Sequence, residues 1–275
     1  MKRIASTFLI FLFLLSACAP AVTPAAPSST PKPPTATARS TEAEAPSPTA
    51  KPSRTATPSP VPTPSRMAAI SQVEPLVEAR TSASLDFESA SPGLSLPVGG
   101  EARTGENGRA RIDLAPDGTI IRLAPDSHFS VMELEQADGS PFTLLELFFG
   151  KIFIILSGGE LEVQSPSGVA SVRGSMLSVA YDPSTNTMTA TCLEGHCGLR
   201  NETGRVDLVA GQAADIRDGV LSREPRDLNE QEMLDWLEFV PEMKDYPDLS
   251  YVLQTRLKSL RDGISVPKTP RWPRR

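Results

Sequence analysis

The sequence predicts an all-β fold, either an antiparallel two-layer sandwich or a solenoid-like β-roll, followed by a short pair of helices. Across residues 68–217 apolar residues alternate at period two in short runs, and turn residues separate the runs. No helical period is sustained in this part of the chain. Many short strands with regularly spaced turns are typical of sandwiches and rolls. A helical period begins only near Arg223.

The start of the chain, residues 1–17, is predicted to be a signal peptide. A basic dipeptide precedes an apolar run over residues 4–15, which is too short to cross ~30 Å of hydrocarbon as a helix. The run leads into Leu-Ser-Ala-Cys, ending at Cys18, which resembles the lipobox of bacterial lipoproteins. This resemblance implies acylation of Cys18 and an extracytoplasmic location on the cell membrane or outer membrane. The alternatives are an ordinary secretory signal cut nearby and an uncleaved anchor.

Residues 18–66 are predicted to be a disordered linker. They consist almost entirely of Pro, Ala, Thr and Ser, and such side chains cannot offset the entropy cost of ordering the chain. Frequent proline favours extended polyproline II, which gives a semi-rigid spacer of ~3.1 Å per residue at full extension. Such a spacer allows a folded domain to stand away from a membrane.

Charge is distributed unevenly along the chain. The whole sequence has 27 basic and 33 acidic residues, whereas residues 67–267 contain 16 basic and 31 acidic residues. A domain this acidic repels nucleic acid, so we expect no nucleic-acid partner. The tail at residues 265–275 is basic but short and interrupted by proline, which is typical of a solvated, disordered terminus.

Residues 67–222 are predicted to form the β-domain. Residues 109–114 and 119–123 both alternate at period two, and the intervening Pro-Asp-Gly is a turn sequence. The remaining predicted strands are 129–134, 142–149, 151–156, 160–164, 170–173, 176–181, 187–193, 197–201, 205–209 and 213–217.

Two cysteines remain after Cys18. Cys192 and Cys197 flank Glu-Gly, which we interpret as the two-residue turn of a hairpin. The cysteines would then be a directly opposed, non-hydrogen-bonded pair, and this geometry suits a cross-strand disulfide. The alternative is a metal site formed with His196, although a fourth ligand at recognisable spacing is missing.

Residues 223–264 are predicted to form two helices. Asp227 or Asn229 can cap the first helix and Gly263 can end the second. Trp236 and Phe239 lie off the main apolar stripe of the first helix. One interpretation is that the helices cover an edge of the β-domain, and the other is that these two aromatic residues form an exposed partner surface.

The order and spacing of these segments resemble the FecR domain. The family hallmark is the Val-Arg-Gly-Ser that contains Arg173 and Gly174, followed by Glu-Gly at Gly195 and Ala-Gly-Gln at Gly211. The earlier matching segments lie within residues 97–127. The resemblance implies an extracytoplasmic β-rich module, and its best-known members relay occupancy of an outer-membrane iron transporter to a cytoplasmic sigma factor. We expect no such direct relay here, because we find no spanning helix of ~20 apolar residues and a lipid anchor does not reach the cytoplasm.

The hallmark residues favour structural roles. We expect Gly174 to permit a bulge or a close approach between strands, and Arg173 to pair with an acidic neighbour at the rim. The alternative is that Arg173 is a functional arginine presented beside an accessible glycine.

The sequence predicts no enzyme, cofactor or metal site. The two histidines, His128 and His196, lie in no nucleophile motif. Glu160 and Glu162 face one side of a predicted strand, which indicates a solvated acidic face or, alternatively, the carboxylate pair of an envelope hydrolase. The leading hypothesis is a non-catalytic, lipid-anchored interaction or scaffold module with an unknown envelope protein or glycan partner. The second is a sensor subunit that signals through a separate membrane partner.

Overall fold

The computed structural model describes residues 66–136 and 140–263. Cys18, the predicted signal peptide, the predicted tail and all of the predicted linker except its last residue lie outside these ranges. Within them, no helix is both long enough and apolar enough to cross a membrane.

The described chain folds mainly into β-strands, as predicted. The sixteen strands are β1 (Met67–Val73), β2 (Val77–Arg80), β3 (Glu88–Ser89), β4 (Ser95–Leu96), β5 (Glu101–Thr104), β6 (Ala110–Ala115), β7 (Thr119–Leu123), β8 (His128–Glu133), β9 (Phe142–Ile155), β10 (Glu160–Ser165), β11 (Gly168–Asp182), β12 (Thr187–Asn201), β13 (Gly204–Val209), β14 (Gln212–Arg217), β15 (Val220–Leu221) and β16 (Arg226–Asp227). All recorded strand pairings are antiparallel except that of β9 with β10.

The strands form two layers around one core. One layer, here called the capped sheet, has the order β4-β1-β6-β7-β9-β11-β12-β14-β15, with β16 beside β14. The other, here called the open sheet, has the order β3-β2-β5-β8-β9-β10-β11-β12-β13. The shared core includes Ile112, Ile121, Ile152 and Val179 of the capped sheet and Leu145, Leu161, Ala170 and Leu199 of the open sheet.

Three long strands belong to both layers. β9, β11 and β12 bend near Gly150, Gly174 and Gly195, which have φ angles of 89°, 57° and 77°. We predicted each of these strands as two separate strands, and that prediction is wrong. A glycine at positive φ allows the bend because it has no Cβ to clash with the backbone. The glycines therefore redirect a strand from one sheet to the other instead of ending it.

The two sheets are joined by continuous backbone at opposite ends. β9 and β11 pair in the capped sheet from Ile155 with Met176 to Gly150 with Tyr181. β9 passes from the open sheet into this paired segment at Gly150. β11 passes from the open sheet into it at Met176, close to the bend at Gly174. The crossings of β9 and β11 therefore lie at opposite ends of the same segment.

Two helices follow the β-domain, as predicted. They are α1 (Glu230–Phe239) and α2 (Pro247–Arg261), and a short 3-10 helix (Pro241–Asp245) connects them. Asn229 caps α1 by accepting a hydrogen bond from the backbone N–H of Glu232, whose side chain accepts one from Asn229 N–H in return. We call residues 228–261 the cap, because they pack on the outer face of the capped sheet.

The first described residue, Arg66, contacts the β-domain. Arg66 falls within the predicted linker, but its side chain is only 2% exposed. It donates hydrogen bonds to Asp117, to Thr143 Oγ1 at 2.8 Å and to the carbonyl of Gly158 at 2.8 Å. A buried guanidinium needs such partners, and here they lie near β7, on β9 and just before β10.

Candidate functional site

The outer face of the capped sheet is closed by an apolar interface with the cap. The buried residues at this interface are Ala124, Phe153, Ile155, Met176 and Leu193 from the sheet and Leu228, Met233, Trp236, Val240, Met243, Leu249, Leu253 and Leu257 from the cap. Trp236 is fully buried, and its ring meets that of Phe153 edge-on at 5.1 Å between centroids. Of the two interpretations of the helices, the exposed partner surface at Trp236 and Phe239 is therefore wrong, because both residues pack toward the sheet. Burying these large apolar rings against the sheet is more favourable than leaving them in contact with water.

Ion pairs surround this apolar interface, with the cations on the sheet and the anions on the cap. They are Arg109–Glu238, Arg111–Glu242, Arg122–Glu242 and Lys151–Asp235. Arg122 makes two hydrogen bonds to the Glu242 carboxylate, one of them 3.1 Å from Nε to Oε2. Burial opposes ionisation of Glu242, but the bonds from Arg122 and the charges of Arg122 and Arg111 outweigh burial and lower its pKa. These ion pairs therefore fix the position of the cap, and its apolar face is buried against the sheet.

The outer face of the open sheet carries cross-strand ion pairs. Arg173 Nη2 lies 2.8 Å from Glu160 Oε2, and Arg200 Nη2 lies 2.8 Å from Glu162 Oε2. The Arg173 side chain is 76% exposed, so the structure places it at the rim beside an acidic neighbour. Glu160 and Glu162 are thus each paired with a guanidinium and are not a pair of free carboxylates.

A histidine surrounded by aromatic rings lies at the start of β8 in the open sheet. His128 Nε2 is 2.8 Å from Glu101 Oε2, and its ring lies 4.5 to 5.7 Å from those of Phe87, Phe148 and Phe149. Burial, together with the charges of Arg103 and Arg80, outweighs the Glu101 contact and lowers the pKa of His128. The described residues contain no cluster of three or more side chains suited to a metal ion.

Cys192 and Cys197 are joined as a disulfide within one strand. Their Cα atoms are 5.8 Å apart, and the four residues between them form the bend of β12. The predicted two-residue hairpin is wrong, because β12 continues through Gly195. Leu193 is fully buried against the cap, whereas His196 is exposed. The disulfide therefore closes the base of a bend that directs Leu193 toward the helices.

The other hallmark glycines lie at changes of strand direction. Gly174 lies at a shift in register between β11 and β12. Gly211 lies in the turn between β13 and β14 with a φ of 84°. Its N–H donates to the carbonyl of Cys192, and its carbonyl accepts from the N–H of Leu228. The hallmark residues are thus spread over several turns and bends and are not brought together in one cleft.

The geometry defines a two-layer β-domain with one sheet face covered and the other carrying paired charges. Residues 100–197 match the family model described as FecR protein. The matched segment extends from β5 into β12 and stops before the cap.

Two crystal structures of a candidate anti-sigma factor from Parabacteroides distasonis, at 2.50 and 1.65 Å resolution, are also similar. Each is 16% identical to this chain with a TM-score of 0.42, covering 50% of this chain and 63% or 64% of the other. No curated protein matches the chain.

Sequence reasoning missed the residues that hold the cap. Arg122 lies in an otherwise apolar strand and Glu242 follows a proline after α1, so neither belongs to a recognisable motif. The one usable signal is an arginine at an outward position of β7, because a buried guanidinium requires an acidic partner. The sequence does not show that this partner lies 120 residues further along.

Proposed function

We propose that the chain is a non-catalytic, lipid-anchored interaction module of the cell envelope, with its partner surface on the open sheet. The carrying observation is the FecR match over residues 100–197, a family of membrane-associated regulators and not of enzymes. Acylation of Cys18 attaches the module to the membrane, and the linker gives it reach. The partner is an envelope protein or glycan, because the acidic domain disfavours nucleic acid.

The open sheet is the favoured partner surface because the cap covers the opposite face. Arg173 and Arg200 are exposed on it, and no described helix packs over them. Their ion pairs with glutamates can be exchanged for pairs with a partner at small cost, since exposed pairs contribute only about 0–1 kcal/mol each.

Crosslinking in intact cells tests this surface. We expect the double change Arg173→Glu and Arg200→Glu to abolish recovery of a crosslinked envelope partner. The matched control is Arg261→Glu on the cap, whose side chain is 60% exposed, and it should leave recovery unchanged. Equal recovery from all three proteins would place the partner surface elsewhere.

The lipid anchor has a separate test. The wild-type chain should incorporate radiolabelled fatty acid and fractionate with membranes, and Cys18→Ser should lose both properties. Membrane retention of the Cys18→Ser chain without label would indicate an uncleaved anchor.

A second candidate function is favoured by the family itself. FecR relatives are regulators, so the module would be the extracytoplasmic part of a sensor that signals through a separate membrane protein. Deletion should then change transcription of a defined gene set, and restoration of the wild-type chain but not the Arg173→Glu, Arg200→Glu chain should reverse the change. An unchanged transcriptome after deletion contradicts the sensor function and leaves the interaction module unaffected.

A further inference from the structure

The edges of the two sheets differ in length. Three of the edge strands, β3, β4 and β15, have two residues each, and so does β16. The fourth edge is β13, which has six residues and pairs only with β12 among the described strands. Short edge strands resist pairing with another chain, whereas a longer open edge invites it. β13 is thus the edge best suited to an added strand.

The free backbone groups of β13 can be assigned from its hairpin with β12. Asn201 and Gly204 close a two-residue turn and therefore form a hydrogen-bonded pair, after which the pairs alternate. It follows that the N–H and C=O groups of Arg205 and Asp207 point away from β12. Val209 fits this assignment, because its N–H donates to Gln212 Oε1 at 3.0 Å and not to β12. Arg205 and Asp207 thus offer two donors and two acceptors at the edge.

The side-chain charges along β13 are complementary to those of a second, antiparallel β13. Arg205 and Asp207 project from the outer face of the open sheet and are 58% and 76% exposed. In an antiparallel pair of two β13 strands, outward residues must face outward residues. A register centred on Val206 places Arg205 opposite Asp207 of the second copy, twice by symmetry. The neighbouring registers place Arg205 opposite Arg205 or Asp207 opposite Asp207, which like-charge repulsion disfavours.

We infer that β13 is a self-association edge, at which a second copy of this chain adds its own β13 in antiparallel orientation with Val206 at the two-fold axis. Four backbone hydrogen bonds and two Arg205–Asp207 ion pairs form across the edge. The open sheets of the two copies become continuous, and their outer faces lie on the same side. The interface is isologous, so it closes at two copies and does not propagate.

The contact is small, and weak self-association is therefore expected. An edge of six residues buries less than the roughly 1,200–2,000 Å² of a standard stable interface. The Arg205–Asp207 pair that already exists within one copy, 2.7 Å from Nε to Oδ1, is exchanged for pairs between copies. The free energy of association then comes mainly from the backbone hydrogen bonds, and the charges mainly select the register.

Charge-exchange variants test both the edge and the register. The full chain in density-matched detergent should show a mass that rises from monomer to dimer with concentration in sedimentation equilibrium. Arg205→Asp and Asp207→Arg should each weaken dimerisation about tenfold or more, because each homodimer then contains two like-charge pairs. An equimolar mixture of the two variants should dimerise again, since each Asp then faces an Arg.

Lys258→Glu is the matched control, because Lys258 is exposed on α2 and the change alters net charge as much as Arg205→Asp does. It should dimerise as the wild type does. A monomeric wild type at all concentrations overturns the inference, as do variants that dimerise like the wild type or a mixture that stays monomeric. Loss of dimerisation in Lys258→Glu would assign association to net charge and likewise overturn it. Dimerisation and recovery of a crosslinked envelope partner are measured separately, so failure of the self-association inference can be distinguished from failure of the proposed function.

Discussion

At the residue scale, glycines at positive φ act for two different reasons. At Gly150 a Cβ would collide with the backbone at Asp126 and Ser127, whereas at Gly174 nothing lies within 4 Å of its position. Gly150 is therefore required by a close approach of two segments. Gly174 is favoured by its backbone angle alone.

Alanine substitution should separate these two causes. We expect Gly150→Ala to destabilise the fold by about 3 kcal/mol or more, because backbone atoms must move. Gly174→Ala should cost about 1–2 kcal/mol, the strain of a left-handed alanine. Free energies of unfolding from urea titration measure both, and equal losses would contradict the assignment of a close approach at Gly150.

The disulfide gives a second prediction at this scale. Cys192 and Cys197 are both at most 4% exposed, so thiol reagents should modify them only after denaturation with reductant. Reduction should lower the free energy of unfolding by about 2 kcal/mol, as expected for so short a loop. The double change Cys192→Ala and Cys197→Ala should be insensitive to reductant. Free thiols at both positions in the unreduced, denatured chain would contradict the pairing.

At the element scale, the cap is held by charges that depend on pH. Because the pKa of Glu242 is lowered in the folded state, its contribution is present above the unfolded value near 4.5 and is lost as the pH falls through the folded value. His128 acts in the same direction. Its lowered pKa makes the folded state lose stability as the pH falls below 6.5.

Acidification should therefore destabilise the fold in two separable steps, one at Glu242 on the cap and one at His128 in the open sheet. In a Trp272→Phe background, Trp236 fluorescence reports the cap and urea unfolding reports stability between pH 7 and pH 3. Glu242→Gln should remove part of the pH dependence below about pH 5, and His128→Gln should remove part of that between pH 7 and pH 5. Unchanged pH profiles in both variants would contradict the linkage.

Elements were predicted better than their connections. Alternation located β6, β7, β13 and β14 to within one residue. Of the two predicted caps, Asp227 and Asn229, the second begins α1, and Gly263 follows the end of α2, because capping is local chemistry. The bends at Gly150, Gly174 and Gly195 were predicted as breaks, since a glycine that redirects a strand and one that ends it look alike locally. Long-range pairing decides between them. For the same reason the helix pattern left two interpretations of Trp236 open, because it does not show the sheet on which the helix packs.

The candidate site was less predictable than the fold. The pairing of Cys192 with Cys197 was predicted from their short spacing, although the hairpin assumed for it is wrong. The acidic neighbour of Arg173 was also expected from the sequence. The Arg122–Glu242 contact joins residues 120 positions apart, and only the folded chain shows it.

At the scale of the whole molecule, shared strands should make the two sheets unfold together. β9, β11 and β12 each contribute hydrogen bonds to both layers, so neither layer can separate intact. We expect amides of the open and capped sheets to exchange with the same global free energy, measured by native-state hydrogen exchange. A difference of more than about 2 kcal/mol between the most protected amides of the two sheets would contradict this.

The strands that cross between layers also give the domain a mechanical property. A load applied to the outer face of the open sheet reaches the strands beneath the cap through covalent backbone, because β9, β11 and β12 run through both layers. Side-chain packing alone could yield by slippage between the sheets, but a continuous strand cannot. We therefore expect a force on the open sheet to be transmitted through these strands to the capped sheet and to the helices that pack on it.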